Sequence, residues 1–406
     1  MHQLLTRETV AQALEGDPKR RQKEAIIATI MLVCAGFCIL VTVGIVIVLL
    51  ETGLDFFTHE FFQDASLLER ALRQTLSAQE LSSVDLSALI SSSVRVENAT
   101  GEIVVNFERA TKDLPGVDPA QLQAAYEQLQ QSTPGLVKFW NTFFDALTRF
   151  FLDNRWTPLF GSKRFGIWPL INGTLMVATV AMILAVPLGL LTAIYLGMYA
   201  SKSVSGLLRP VVEILAGIPT VVYGYFALLY ITPIIQRLNP DAPIFNVLSA
   251  GIMMGIMIIP TVSSISLDAI KAVPRALQDG AYALGATKME VVLKVVFPAA
   301  ISGILASIIL GVSRAVGETM IVTIAAGQQP VSYGQTFGSA LAAIFNPVQS
   351  MATMTAFIAQ VALGDAPAGS IQYVTLYVVG LTLFMMTLLM NLLSQYVSKR
   401  FREVYE

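Results

Sequence analysis

Two opposite charges stand four residues apart in an otherwise apolar run: Arg314 and Glu318, within Ser313-Arg314-Ala315-Val316-Gly317-Glu318-Thr319-Met320. On a helix this spacing places both on one face, where they can neutralise each other. A charge near the middle of a bilayer costs at least about 2.5–3.5 kcal/mol on insertion scales, so such residues face a partner or a cavity. Mutual neutralisation alone is a poor reason to keep them, because apolar residues of similar volume serve as well or better. The pair is therefore expected to line a cavity rather than to be purely structural. Gly317 lets a helix or ligand come close, and Thr319 and Thr323 add hydroxyls, although small and hydroxyl residues also mediate ordinary helix packing in membranes.

A second constellation reads Asp279-Gly280-Ala281, three residues, Gly285, nine residues, then Val295-Val296-Phe297-Pro298. Pro274 can start a short helix there, Ala276, Ala281 and Leu284 give it a small apolar face, and Gly285 permits a sharp turn out of it. The loop would then form a compact knob. The alternative is an amphipathic helix lying on a lipid surface.

The elements that must position these residues are membrane helices. Of the 406 residues, 54% are hydrophobic and 13% are charged, where a soluble domain carries about a quarter charged. Apolar runs long enough to span a bilayer, roughly 20 residues, predict six spans at about 25–50, 171–199, 211–235, 248–270, 299–326 and 374–397. Pro187 and Pro219 fall inside spans and should bend them. Basic residues crowd Lys19 to Lys23, Lys202 with Arg209, Lys271 to Lys294, and Lys399, Arg400 and Arg402. Six spans put all four groups on one side, the cytoplasm by the positive-inside rule, with both termini there. The first span is too long for a cleaved signal segment. Residues 337–363 are apolar too, but Asn346 and Pro347 break them, so they are read as an external or partly re-entrant helix. The net charge of -2 gives no reason to expect a nucleic-acid partner. Cys34 and Cys38 share a helix face without completing a metal set.

Between the first two spans lies a polar insert of soluble composition. Ser66 with Glu69 reads as a capping box, and Asp118 with Pro119 as a helix start. Val94 and Val96 against Ile103, Val105 and Phe107 alternate as a hairpin, giving a small α+β domain. Phe139, Trp140, Phe143, Phe144, Leu147, Phe150 and Phe151 recur at helical spacing, and can pack in the insert's core, lie on the membrane surface or dock a partner.

The Asp279 to Pro298 loop resembles the E-A-A-x3-G-x9-I-x-L-P loop of ABC importer permeases. The spacing is kept in full, with Asp279 for Glu, Gly280 for Ala, and Val295 and Phe297 for the aliphatics. The Arg314 to Met320 stretch is similar to the R-A-I/V-G-E-T-M stretch of phosphate importer permeases. Met320 followed by Val322-Thr323-Ile324-Ala325-Ala326-Gly327 resembles the C-type rather than the A-type subunit. Leu215-Ala216-Gly217-Ile218-Pro219-Thr220-Val221-Val222-Tyr223-Gly224 and Asn172-Gly173-Thr174-Leu175 extend the resemblance. It runs from about Trp156 to the C-terminus and, more loosely, through the first span. The insert lies outside it.

The resemblance implies an all-α polytopic permease of the type I ABC importer fold, in the bacterial inner membrane. Its expected parts are a cytoplasmic segment 1–24, the first span 25–50, a periplasmic insert 51–170, a five-span core 171–398 with coupling loop 271–298, and a tail 399–406. The implied substrate path runs past Arg314, Glu318 and Thr319, with Arg314 as a planar cationic fork for phosphate oxygens. Glu318 can accept a hydrogen bond from protonated phosphate, whereas sulfate carries no proton at neutral pH. Asp279, Gly280, Ala281, Gly285 and Pro298 form the ATPase coupling loop. Implied partners are an A-type permease, two ATPase subunits and a periplasmic phosphate-binding protein. No bound cofactor is expected. The chain carries no G-x-x-x-x-G-K-S/T phosphate loop, so ATP would be hydrolysed elsewhere. Rival readings are a permease for sulfate or molybdate, a membrane sensor, or a membrane enzyme. The last is disfavoured because the two histidines, His2 and His59, lie outside the spans and no H-E-x-x-H or G-x-S-x-G motif occurs.

Overall fold

A computed structural model describes residues 18–76, 84–96, 103–112, 114, 117–160, 163–330, 343–367 and 369–400. The chain divides into two compact units, 1–52 and 53–406. Helix α1, Pro18–Thr58, is one uninterrupted 41-residue helix, longer than the expected first span. Most of its apolar side chains from Ile26 to Leu50 are exposed, as a lipid-facing helix requires.

The insert is helical with one hairpin. Helices α2 (Glu60–Thr75) and α3 (Leu86–Ser93) precede strands β1 (Val94–Val96) and β2 (Ile103–Val105), followed by α4 (Phe107–Thr111), α5 (Pro119–Ser132) and α6 (Gly135–Leu152). The strands pair antiparallel, Val94 opposite Val105 and Val96 opposite Ile103. Phe107 is not the last strand residue but the first of α4, because the Asn106 side chain accepts from the Arg109 N–H and caps a helix there. Ser66 is not a cap either. The cap of α2 is His59, whose Nδ1 accepts from Phe61 N–H, and Ser66 lies mid-helix, donating to the Gln63 carbonyl. Glu69 pairs with Arg73 and Arg149. Asp118 does cap α5, with Pro119 in its first turn. The hairpin turn, 98–101, lies outside the described residues.

The insert is not set apart from the rest of its unit. One apolar cluster joins Phe56, Phe62, Leu68, Phe150 and Phe165 to Phe357, Ile371 and Val378. Trp156 meets Phe357 edge to face, centroids 5.1 Å apart.

Beyond it, α7 (Trp168–Ile194) continues through a wide turn, Tyr195–Tyr199, in which one extra residue is accommodated. Pro187 lies inside α7. Helix α8 (Lys202–Gly217) is followed by α9 (Thr220–Phe226), a second wide turn and α10 (Thr232–Leu238). Helix α11 (Val247–Ala272) packs along α7, with Ala178, Ala181 and Ala185 facing a surface that includes Gly251 and Gly255. Small residues let the two backbones approach, as packing between membrane helices requires. The remaining helices are α12 (Arg275–Ala283), α13 (Lys288–Val291), α14 (Phe297–Ala299), α15 (Ile301–Gly317), α16 (Met320–Ala325), α17 (Met354–Ala362) and α18 (Ile371–Arg400).

Five helical stretches are long and apolar enough to cross a membrane, and the pair Lys288–Ala299 and Ile301–Gly317, bent by 72°, brings the number to six among the described residues. The expected spans at 211–235 and 299–326 are each broken: helices end at Gly217 and Gly317 and restart at Thr220 and Met320. Of the stretch 337–363, residues 337–342 lie outside the described residues, and the rest contains a helical turn at 343–345 and the nine-residue α17, each too short to span.

Asn172-Gly173-Thr174 explains itself in the packing. Thr174 Oγ1 accepts from Met354 N–H at 3.0 Å, and a Cβ on Gly173 would overlap the Ala352 carbonyl oxygen. Gly173→Ala is expected to lower stability by about 1–3 kcal/mol through overpacking, while Gly44→Ala, inside α1 where a Cβ meets nothing within 4 Å, is expected to cost nothing or to stabilise slightly. Thermal unfolding of the two purified variants checks this, and equal midpoints would contradict the close approach.

Candidate functional site

The site forms where two of the expected spans break. After Gly217, Ile218 and Pro219 are extended (ψ 130° and 134°) and α9 begins at Thr220. After Gly317, Glu318 is extended (ψ 131°), and α16 begins at Met320. Proline at 219 cannot continue the ladder and disfavours helical geometry in the residue before it. It therefore terminates a helix where the sequence reading had it only bending one. The restarted halves touch: a Cβ on Gly224 would stand 3.0 Å from Ile324 Cβ. Each contact residue lies four positions past its break, about 6 Å along a helix, so the breaks lie within roughly 16 Å of each other.

Arg314 and Glu318 consequently do not share a helix face and are not ion-paired. Arg314 Nη1 donates to Thr261 Oγ1 at 2.8 Å. Thr261 lies near the middle of the 26-residue α11, which puts the guanidinium at membrane depth. Glu318 turns the other way, its Oε1 accepting from the N–H groups of Met320 (3.0 Å) and Ile321 (3.4 Å). Each charge sits at the helix end whose dipole favours it: Arg314 in the last turn of α15, the carboxylate at the start of α16. The Glu318 carbonyl accepts from Thr355 Oγ1 at 2.7 Å, and Tyr223 Oη donates to the Leu215 carbonyl at 2.7 Å. Thr319 makes no side-chain cap, and its carbonyl accepts from Thr323 Oγ1 at 2.7 Å.

The break is partly open. Arg314, Glu318 and Thr319 are half-buried, Gly217, Pro219 and Gly317 are exposed, and a Cβ on Gly317 would meet nothing within 4 Å. Irregular backbone at membrane depth is tolerated only against protein or a water-filled cavity, so this face is turned away from lipid.

Thr261, Tyr223 and Thr355 were missed by sequence reasoning. Thr261 had a signal, a hydroxyl beside Pro260 in an apolar helix, but nothing in the sequence pairs it with Arg314 across 53 residues.

The Asp279 to Pro298 stretch folds as a projecting knob. Pro274 precedes α12, none of whose residues is buried, and Asp279 and Gly280 are exposed on it. Ala281 and Ala286 pack against the cluster of Leu196, Leu267, Ile270, Val291 and Val296 at the ends of α7 and α11. Gly285 has φ +83°, a left-handed turn that side chains resist. Thr287 and Glu290 form a reciprocal capping box that restarts the chain, and Pro298 lies in the first turn of α14. At the tip, Leu284 is 91% exposed. Lys288 Nζ lies 4.7 Å over the Tyr199 ring, fixing the knob to the end of α7.

A family model described as binding-protein-dependent transport system inner membrane component matches residues 185–403. The chain is 34% identical over 251 residues to a probable ABC transporter permease protein, YqgH, of Bacillus subtilis, covering 62% of this chain and 77% of that one. It is 32% identical over 268 residues to the phosphate transport system permease protein PstC of Haemophilus influenzae, with 61% and 79% covered. A solved structure of the MetNI methionine ABC transporter in an inward facing conformation aligns over 59% of this chain and 95% of that one, at 16% identity and a TM-score of 0.41.

Because the Glu318 side chain holds the first N–H groups of α16, Glu318→Ala should destabilise the chain by about 1 kcal/mol, the usual cost of losing a cap. Glu318→Gln keeps an acceptor oxygen and should cost less than half of that. Unfolding midpoints of the detergent-solubilised variants separate the two, and equal losses would mean the charge rather than the cap is what counts.

Proposed function

The chain belongs to the family of binding-protein-dependent transport system inner membrane components, and on that premise we propose that it is the C-type permease subunit of a bacterial ATP-driven phosphate importer. The observation that supports the path is the helix break just after Arg314, whose guanidinium bonds Thr261 midway along α11. The choice of phosphate rests on the similarity to phosphate transport permeases, and nothing favours sulfate or molybdate.

Arg314 is permanently charged, and Thr261 holds only one arm of its guanidinium fork. The remaining donors can meet two oxygens of a phosphate that passes the break. Glu318 offers its second carboxylate oxygen as an acceptor for a protonated phosphate, and would repel an anion without a proton. Thr319 lies between the two charges in the chain and completes the proposed lining. The anion is held briefly by few groups, as passage rather than storage requires.

Transport needs two states, and a ligand shifts them only by binding one better than the other. The knob of Asp279, Gly280, Ala281, Gly285 and Pro298 is the element proposed to read ATP binding and hydrolysis in a separate ATPase subunit, this chain carrying no ATPase site of its own. Two ATPase copies, an A-type permease and a periplasmic phosphate-binding protein complete the proposed assembly. The chain is a multi-pass inner-membrane protein by its family and its apolar helices. We place both termini and the knob in the cytoplasm and the insert, 51–170, in the periplasm.

In vesicles containing the whole complex, Arg314→Ala should reduce phosphate uptake at least tenfold with assembly intact, the scale of one lost charge-assisted bond. Glu318→Gln should let sulfate compete with phosphate. Normal uptake by the first variant would make Arg314 structural, and unchanged sulfate exclusion by the second would remove Glu318 from selection.

Gly285→Val forces a β-branched residue to φ +83°, costing at least about 1–2 kcal/mol in the knob alone. Phosphate-dependent ATP hydrolysis should fall severalfold while the ATPase subunits remain bound. Unchanged coupling would assign that task to another surface.

A further inference from the structure

Helix α6 has three faces. Thr142, Ala146 and Phe150 are buried against the insert. Asp145 and Arg149 form a second, polar face, with Arg149 bridging Asp145 at 2.8 Å and Glu69 at 2.7 Å. The third carries Leu136, Trp140, Phe144 and Phe151, within one stripe about 100° wide, and Leu147 between them is half-buried against the core cluster. Leu136 is 78% exposed, Trp140 52% and Phe144 56%, and the Trp140 and Phe144 rings stack with centroids 5.7 Å apart. No charged side chain interrupts the stripe.

The position of α6 says what covers it. Ile167 N–H donates to the Phe150 carbonyl at 3.0 Å and Trp168 Nε1 to the Phe151 carbonyl at 2.6 Å. These bonds tie the end of α6 to the start of the membrane helix α7. In its middle and last turn, Phe143 and Phe150 meet the ring of Phe57, in the last turn of α1, at 5.8 and 5.5 Å. The helix is thus braced where two apolar helices leave the bilayer. The far end of α7, at Tyr199, touches Lys288 in the knob, so α6 lies at the membrane face opposite the knob. Tryptophan and phenylalanine on an amphipathic helix at that level match the boundary between headgroups and acyl chains, into which such helices sink about 5–10 Å.

We propose that α6 is an interfacial helix, its Leu136, Trp140, Phe144 and Phe151 stripe immersed in the lipid leaflet opposite the knob, holding the insert down on the membrane. Being a contact with lipid, it does not depend on which anion is carried. The sequence-level alternatives for this aromatic segment divide accordingly: Phe150 is core and the stripe is lipid-facing.

The test uses the assembled transporter in lipid nanodiscs, its native cysteines replaced, with spin labels introduced by Leu136→Cys and Phe144→Cys on the stripe and Gln130→Cys on exposed α5. The labels at 136 and 144 should collide with oxygen severalfold more than with a water-soluble nickel chelate, and the label at 130 should show the reverse. Nickel contact at 136 and 144 equal to that at 130 would mean the stripe faces water. Low contact with both reagents would mean a protein partner covers it. Either result overturns the proposal, and the two stripe positions report independently if one substitution impairs assembly.

Discussion

Hydrocarbon offers no partner for a backbone N–H or C=O, and this constraint governs the whole structure. Along α7, α11 and α18 it is met by the helices themselves. At the two breaks it is met by side chains: Tyr223 for the Leu215 carbonyl, Thr355 for the Glu318 carbonyl, the Glu318 carboxylate for two amides of α16. The second break therefore depends on α17, which carries Thr355. Helix α17 is in turn held by Thr174 of α7, through the N–H of Met354. A short chain of bonds connects the opening to α7.

The two intramembrane charges are stabilised separately rather than by each other. A helix end already presents a partial charge of the opposite sign, so neither residue needs the other as counter-ion. This frees the guanidinium edge not taken by Thr261. A close Arg314 to Glu318 pair would have closed the site upon itself.

Much of this was legible in the residues. The apolar runs gave the membrane helices, two of them broken, the alternation of Val94 to Val105 gave a hairpin without Phe107, and Pro274, Ala281 and Gly285 gave the knob, because each signal is local. The breaks at Gly217 and Gly317 were not legible, since apolarity records burial in lipid and is indifferent to whether the helix is continuous. Pro219 and Gly317 were visible, but membrane helices tolerate both residues. Ser66 with Glu69 imitated a cap about two helical turns past the true one because His59, seldom a cap, took that role. Contacts across long separations, Arg314 with Thr261 or Tyr126 with Asp64, leave no trace in spacing.

The cluster shared by Phe56, Phe150, Phe357, Ile371 and Val378 has a consequence for ancestry. A segment acquired by simple splicing should be removable, leaving the host surface intact. Here the host's own side chains have become interior, so excising the insert would strip the cover from α17 and the first turns of α18. A chain lacking it would have to clothe those positions with lipid or with another subunit. Gain or loss of the insert therefore has to proceed together with substitutions some two hundred residues downstream, and a graft between relatives would carry both or fail.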